Sequence, residues 1–182
     1  MVRVLVPLAP GFEEIEAVTI IDVLRRAGLE VTVAGLEARQ VTGSHDITLG
    51  TDELLGNVLH EDWDAIVLPG GMPGAQHLED HAGLRTLLQN AAKQGKHIAA
   101  ICAGPKALAA AGLLKDKRAT SYPGFLKPDQ VKQYLEEPVV SDGKLTTSRG
   151  PGTALRFALA LVEKLVGAEQ AKQLAERMLA DA

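Results

Sequence analysis

Along the chain, short unbroken apolar runs alternate with longer stretches that carry an apolar stripe at helical spacing. Arg3–Ala9 ("RVLVPLA") is the first run, and Pro10-Gly11 ends it. Glu13–Ala27 then sets Ala17, Ile20, Ile21, Leu24 and Ala27 on one helical face, with Gly28 as the stop. Glu30–Ala34 and Ala65–Leu68 read as further strands, the latter ending in Pro69-Gly70-Gly71. Leu84–Gln94 predicts a helix, His97–Ile101 a fourth strand, and Pro105–Ala111 a helix that begins just after Cys102. Beyond it, "RATSYP" predicts a short strand and Val139–Ser148 a hairpin around Asp142-Gly143. Thr153–Leu165 and Ala168–Leu179 read as helices separated by Gly167. The weak alternation of Thr42–Leu49 predicts a small β insertion.

Strands alternating with helices from end to end predict a mostly parallel sheet with helices on both faces. Strands continuous in Val, Ile, Leu and Ala are expected to be buried on both sides. No linker, repeat or low-complexity tract interrupts the pattern, so residues 1–182 read as a single domain. In such sheets ligands bind beyond the carboxyl ends of the strands. Gly11–Glu16, Pro69–Gly74 and Cys102–Gly104 all follow strands, which predicts their convergence on one edge.

Composition narrows the function classes. A net charge of −4, with Lys and Arg scattered, gives no basic face for nucleic acid or an anionic membrane. Aromatic residues make up only 3%, which leaves few rings for bases to stack on. The first residues are too short and too Pro-broken for a signal sequence, and no run approaches the ~18 apolar residues of a membrane span. A cytoplasmic protein is expected. The single cysteine cannot form an internal disulfide, and no Cys/His spacing implies a metal, so no cofactor is expected.

Cys102 is the first candidate for chemistry. Ala100, Ala103 and Gly104 leave room for a sharp strand-to-helix turn, and Pro105 suits a first helical position. A thiol ahead of a helix N-terminus is expected to titrate low and to favour thiolate. The same pattern is compatible with a buried, inert cysteine, among the most buried of residue types. Among the neighbouring acids, Glu13 and Glu14 are accounted for as first-turn complements of the helix dipole. Glu16 borders the apolar stripe, with Ile20 and Val23 above it, which predicts a raised pKa and a proton-transfer role. Gly70 and Gly71 permit close backbone approach and N–H groups aimed at an oxyanion, although a tight turn also favours them. None of His45, His60, His77, His81 and His97 follows Cys102, which removes a Cys-then-His order. His97 opens the strand that ends before Cys102 and lies too far off to act on it. His45 and His77 read as solvated loop residues.

In chain order, "LAPGFEEIEAV", "VLPGGMPGA", "AAICAGPKAL" and "TTSRGPGTALRFALALVE" resemble the DJ-1/PfpI superfamily, closest to its deglycase and chaperone-like branch. The likeness runs over nearly the whole chain. It implies a flavodoxin-like three-layer α/β sandwich, akin to class I glutamine amidotransferases, and a homodimer. It also implies that Cys102 is the reactive cysteine, that Glu16 hydrogen-bonds it, and that Gly71 and Ala103 supply backbone donors to an oxyanion pocket. Gly70 and Tyr122 would border that pocket, and Ser148–Gly152 matches a family signature with a structural role.

The chain also departs from the superfamily's pattern. The protease-like branch has a His directly after the cysteine where this chain has Ala103, which argues against peptidase and amidotransferase chemistry. Tyr122 replaces a His found in several relatives, and a phenol of pKa ~10 is a poor base at neutral pH. The implied function is a glyoxalase- or deglycase-type enzyme acting on small reactive carbonyls or glycated groups. The alternative is an oxidative-stress sensor or redox-regulated chaperone whose Cys102 becomes sulfinate. A binding or scaffold protein with an inert cysteine is the third reading.

Overall fold

A computed structural model describes residues 1–180. The chain begins β1 (Arg3–Leu8), α1 (Glu14–Arg26), β2 (Glu30–Gly35), β3 (Gln40–Thr42), β4 (Thr48–Gly50), β5 (Glu53–Leu54), α2 (Leu55–Val58) and β6 (Ala65–Leu68). It continues α3 (Gly74–Asp80), α4 (Ala82–Lys93), β7 (His97–Ile101), α5 (Pro105–Ala110), β8 (Arg118–Ala119), β9 (Gln133–Tyr134), β10 (Val139–Asp142) and β11 (Leu145–Ser148). It closes with α6 (Ala154–Val166) and α7 (Ala168–Met178).

Seven strands form the central sheet in the order β10-β11-β7-β6-β1-β2-β5. Every neighbouring pair is parallel except β10 with β11, the hairpin that turns at Gly143. The fold is a flavodoxin-like α/β sandwich. All residues of β6 and β7 are buried, as central strands covered on both faces require. Along β1, Val4, Val6 and Leu8 face a core shared with Ile20, Leu24 and Phe157 of α1 and α6. The alternating residue Leu5 faces the other core, with Leu84, Leu88 and Leu108 of α4 and α5. The twofold alternation of strand side chains is what lets one strand serve both layers.

The β insertion is present as the β3–β4 hairpin, where Val41 pairs Leu49. α3, α2 and β5 were not signalled by the apolar pattern: α3 buries only Gly74, Ala75 and Leu78, too few for a stripe. The strand expected from "RATSYP" shrinks to Arg118–Ala119, and Thr120 onward belongs to the loop beside the sheet edge. The strands β7, β6 and β1 lie side by side, so their carboxyl ends deliver Cys102–Gly104, Pro69–Gly74 and Gly11–Glu13 to one place.

Phe157 is fully buried in the core shared by the sheet and α1. Phe157→Ala is expected to lower unfolding stability by about 3–5 kcal/mol in a urea titration. Leu155→Ala, on the exposed side of the same helix, is expected to cost far less.

Candidate active site

At the end of β7, Cys102 turns the chain with a φ of 64°, in the left-handed region that a non-glycine residue rarely adopts. Both of its backbone polar groups are fixed. Its N–H donates to the Ser148 carbonyl at 3.0 Å, and its carbonyl accepts from the Tyr122 N–H at 2.9 Å. The elbow is so tight that a Cβ at Gly70 would lie 2.6 Å from the Cys102 Cβ. Gly104 is equally confined, since a Cβ there would sit 2.9 Å from the carbonyls of Ile101 and Leu68. Tyr122 thus meets Cys102 through its backbone, while its ring is exposed and stacks edge-on with Phe125 at 6.1 Å.

The loops after β1 and β6 interlock beneath the elbow. The Glu13 N–H donates to the Gly70 carbonyl at 2.9 Å. Gly71, with a φ of 89°, lies so close to Gly11–Glu13 that no side chain fits there. This places the Glu16 carboxyl in the interior, at 0% exposure, where Oε2 accepts from the Gly70 N–H at 3.2 Å. Oε1 has no hydrogen-bond partner. Cys102, 8% exposed, lies close enough to this carboxyl for each group to shift the other's titration.

Burial pushes Glu16 up to about 7, and the charge of Glu13 adds to that, against hydrogen bonds from Cys102 and Gly70. Cys102 is pushed up to about 12, first by burial and then by the charge and hydrogen bond of Glu16. The N–H groups of Ala103 and Gly71 pull it down. This corrects the expectation that the helix terminus would lower the thiol. α5 has only 6 residues, and desolvation beside a carboxylate outweighs its dipole.

The two groups titrate as a unit. Carboxylate charge raises the thiol only while Glu16 is ionised. Once the pair has lost one proton, the remaining proton sits on sulfur or on Glu16, in a ratio that does not depend on pH. The second arrangement is a thiolate facing a carboxylic acid, with the Ala103 and Gly71 N–H groups on the sulfur.

Glu13 and Glu14 sit at the start of α1 as expected of dipole complements, and both are buried, which that reading did not foresee. Oε2 of Glu13 caps α1 by accepting from the Glu16 N–H at 2.8 Å. Glu14 is gripped by the β3–β4 hairpin, accepting from the His45 N–H at 2.7 Å and from Ile47 at 3.4 Å. Against the cost of burial, these bonds hold Glu14 below the usual carboxylate range. The sequence signal was Gly43 beside it, where any side chain would run into the Glu14 carboxyl. His45 is exposed, yet its Nδ1 lies 3.1 Å from Glu14 Oε2 and 4.0 Å from Glu13 Oε1, so it is not merely solvated. His97 is buried against Thr146 Oγ1 at 3.0 Å and pushed down to about 4, chiefly by burial. In the signature stretch, Ser148 Oγ donates to the Pro138 carbonyl at 2.6 Å and Arg149 Nε to Ser121 at 3.3 Å, ties that brace the loops around the elbow.

The family profile described as the DJ-1/PfpI family matches residues 2–164. The chain belongs to the DJ-1/PfpI family. Protein dj-1beta of Drosophila melanogaster is 44% identical over 179 residues, covering 96% of this chain and 95% of that protein. The glutathione-independent glyoxalase DJR-1.2 of Caenorhabditis elegans is 37% identical over 165 residues, 89% and 87% of the two chains. Among solved DJ-1/PfpI structures, oxidized Toxoplasma gondii DJ-1 superposes with a TM-score of 0.95 at 45% identity, over 100% of both chains.

A carboxyl raised from 4.5 to about 7 destabilises the fold in a defined pH window. Below the unfolded value both states hold the proton; as pH rises through the folded value, the native state must carry a buried charge. Replacing Glu16 with Gln in this DJ-1/PfpI protein is therefore expected to shift stability relative to wild type, in favour of the variant, by on the order of 3 kcal/mol between pH 4 and pH 8. Denaturant titrations at both pH values check this. A difference that does not change with pH would contradict it.

Proposed function

We propose that this DJ-1/PfpI protein is a cysteine-dependent enzyme acting on small reactive carbonyls or their adducts, of glyoxalase or deglycase type. The observation that carries the reading is a strained, left-handed Cys102 facing the buried carboxyl of Glu16. The relative named as a glutathione-independent glyoxalase supports the same class.

For methylglyoxal, the Cys102 thiolate adds to the aldehyde carbon, and the C=O electron pair moves to oxygen. The Gly71 and Ala103 N–H groups hold that oxyanion. Glu16 protonates it, giving a hemithioacetal. As a base, Glu16 then takes the proton from the former aldehyde carbon and returns it to the adjacent carbon, giving a thioester of lactate. Water cleaves the thioester, releasing lactate and the thiol. The balance is methylglyoxal plus water to lactate, with no external oxidant or cofactor. Tyr122 borders the approach without serving as the base.

A second reading draws on Glu16 Oε1, which is buried with no partner. Protonated there, Glu16 would donate to a sulfinate oxygen on Cys102. The thiolate and two peroxide molecules give sulfinate and two waters. In this reading the protein is an oxidative-stress sensor or redox-regulated chaperone.

We further propose a cytoplasmic homodimer. Ile15 and Val18 of α1 and Ile47 of the turn between β3 and β4 are exposed large apolar side chains, which a second copy of the chain would cover. Among the described residues, no helix is long and apolar enough to cross a membrane.

Cys102→Ala is expected to abolish methylglyoxal consumption, followed as lactate formed; consumption at the wild-type rate would exclude the carbonyl mechanism. After mild peroxide, mass spectrometry is expected to find two oxygens on Cys102 before any methionine is oxidised, if the second reading holds. Methionine oxidation first would count against it.

A further inference from the structure

The lysines are scattered along the sequence, but the fold gathers three of them at the end of the sheet opposite the elbow. Lys96 stands just before β7, Lys117 just before β8, and Lys144 in the turn between β10 and β11. They line one cavity of about 110 Å³ whose remaining wall is apolar: Ala92 of α4, Ile98 of β7, Leu113 and Leu145. β7 runs from this cavity to Cys102. Its 5 residues, at about 3.3 Å each, hold the two places well apart.

Each lysine is held at its backbone. The Lys96 N–H donates to the Ala91 carbonyl at 2.9 Å, the Lys117 N–H donates to Leu114 at 3.0 Å, and the Lys144 carbonyl accepts from the Ile98 N–H at 2.8 Å. Gly143, with a φ of 61°, leaves the hairpin turn open to the Lys117 ammonium, since a Cβ there would lie 3.7 Å from Nζ. The protein does not balance these charges. Lys96 Nζ pairs with Asp64 Oδ1 at 3.2 Å. Asp142, beside the turn, is taken by Arg118: its Oδ2 accepts the Arg118 N–H at 2.9 Å and lies 3.8 Å from Nε. Among the described residues, no carboxylate lies at ion-pair distance from Lys117 or Lys144. The field of Lys144 reaches the interior, where burial and then the charges of Lys144 and Lys164 hold His97 low.

We propose that this cavity is a binding site for a small organic phosphate. The charge count sets the class. With Lys96 offset by Asp64, two cations remain, which match the near-double negative charge of a phosphate monoester at neutral pH. Lysine offers a compact ammonium and not a planar fork, so separate lysines suit the spread oxygens of a phosphate. The apolar wall gives the carbon part of the ester a surface to cover, and the volume limits that part to a few carbons. The site stands apart from the chemistry of Cys102 and does not depend on it.

The test is a titration of the ¹⁵N-labelled protein with ethyl phosphate, inorganic phosphate or sodium chloride, followed by amide NMR shifts at constant pH. Ethyl phosphate should shift Ile98, Leu113 and Leu145 in a saturable way, with a Kd of about 1 mM or tighter. Inorganic phosphate should bind about threefold more weakly for want of the apolar contact, and chloride should not saturate. Lys117→Gln and Lys144→Gln should each weaken the ester about fivefold, and the double variant by more than about tenfold. Lys172→Gln, an exposed lysine on α7, should bind as wild type. Shifts centred on Gly71 and Ala103 would place the anion at the elbow and overturn the proposal. So would undiminished binding by the double variant, an equal loss in Lys172→Gln, or inorganic phosphate bound as tightly as the ester.

Discussion

The site depends on one buried pairing, the carboxyl of Glu16 and the thiol of Cys102, set in the interior at 0% and 8% exposure. Each group alone is raised by desolvation, and each would repel the other if both were charged. Together they resolve the conflict by holding one proton between them. Much of the surrounding structure keeps that contact closed. Gly70 and Gly104 let the elbow approach the β6 loop, Gly71 lets that loop approach β1, and the Gly70 N–H secures one carboxyl oxygen. Widening any of these gaps would admit water, which would return each group toward its ordinary titration.

The arrangement is costly to the fold. A left-handed non-glycine residue costs on the order of 1–2 kcal/mol, and a carboxyl held in the interior adds a pH-dependent burden. The cost is offset by a sheet whose central strands are buried on both faces and by ties at both backbone groups of Cys102. The same ties fix the direction of the sulfur. The rigid end of β7, with β11 and the loop carrying Tyr122 on either side, converts core stability into a strained thiol. That is the sense in which this fold holds a strained cysteine at the end of β7.

The course of the chain was largely legible because strand and helix differ in period. Continuous apolar runs marked β6 and β7, and glycines marked the ends of α1 and α6. The joining of three loops at one edge followed from topology, since parallel strands with helical crossovers return every carboxyl end to the same side. α3 was not legible because three small buried contacts leave no stripe. The chemistry was read less well. A thiol before a helix suggests a lowered pKa only if the dipole dominates, and sequence carries no information on the burial that outweighs it here. Glu13 and Glu14 look like ordinary first-turn acids until the hairpin around His45 folds over them, a contact between residues some thirty positions apart in sequence.

The protonation of Glu16 itself tests the account most directly. Infrared difference spectra between wild type and Glu16→Gln, recorded across pH, isolate the carbonyl stretch of that one side chain. The account predicts a protonated carboxyl at pH 5.5, well above the ordinary range of a glutamate, that is lost only as pH rises through about 7. A carboxylate signature alone at pH 5.5 would contradict the raised titration of Glu16, and with it the account of that carboxyl as buried beside Cys102.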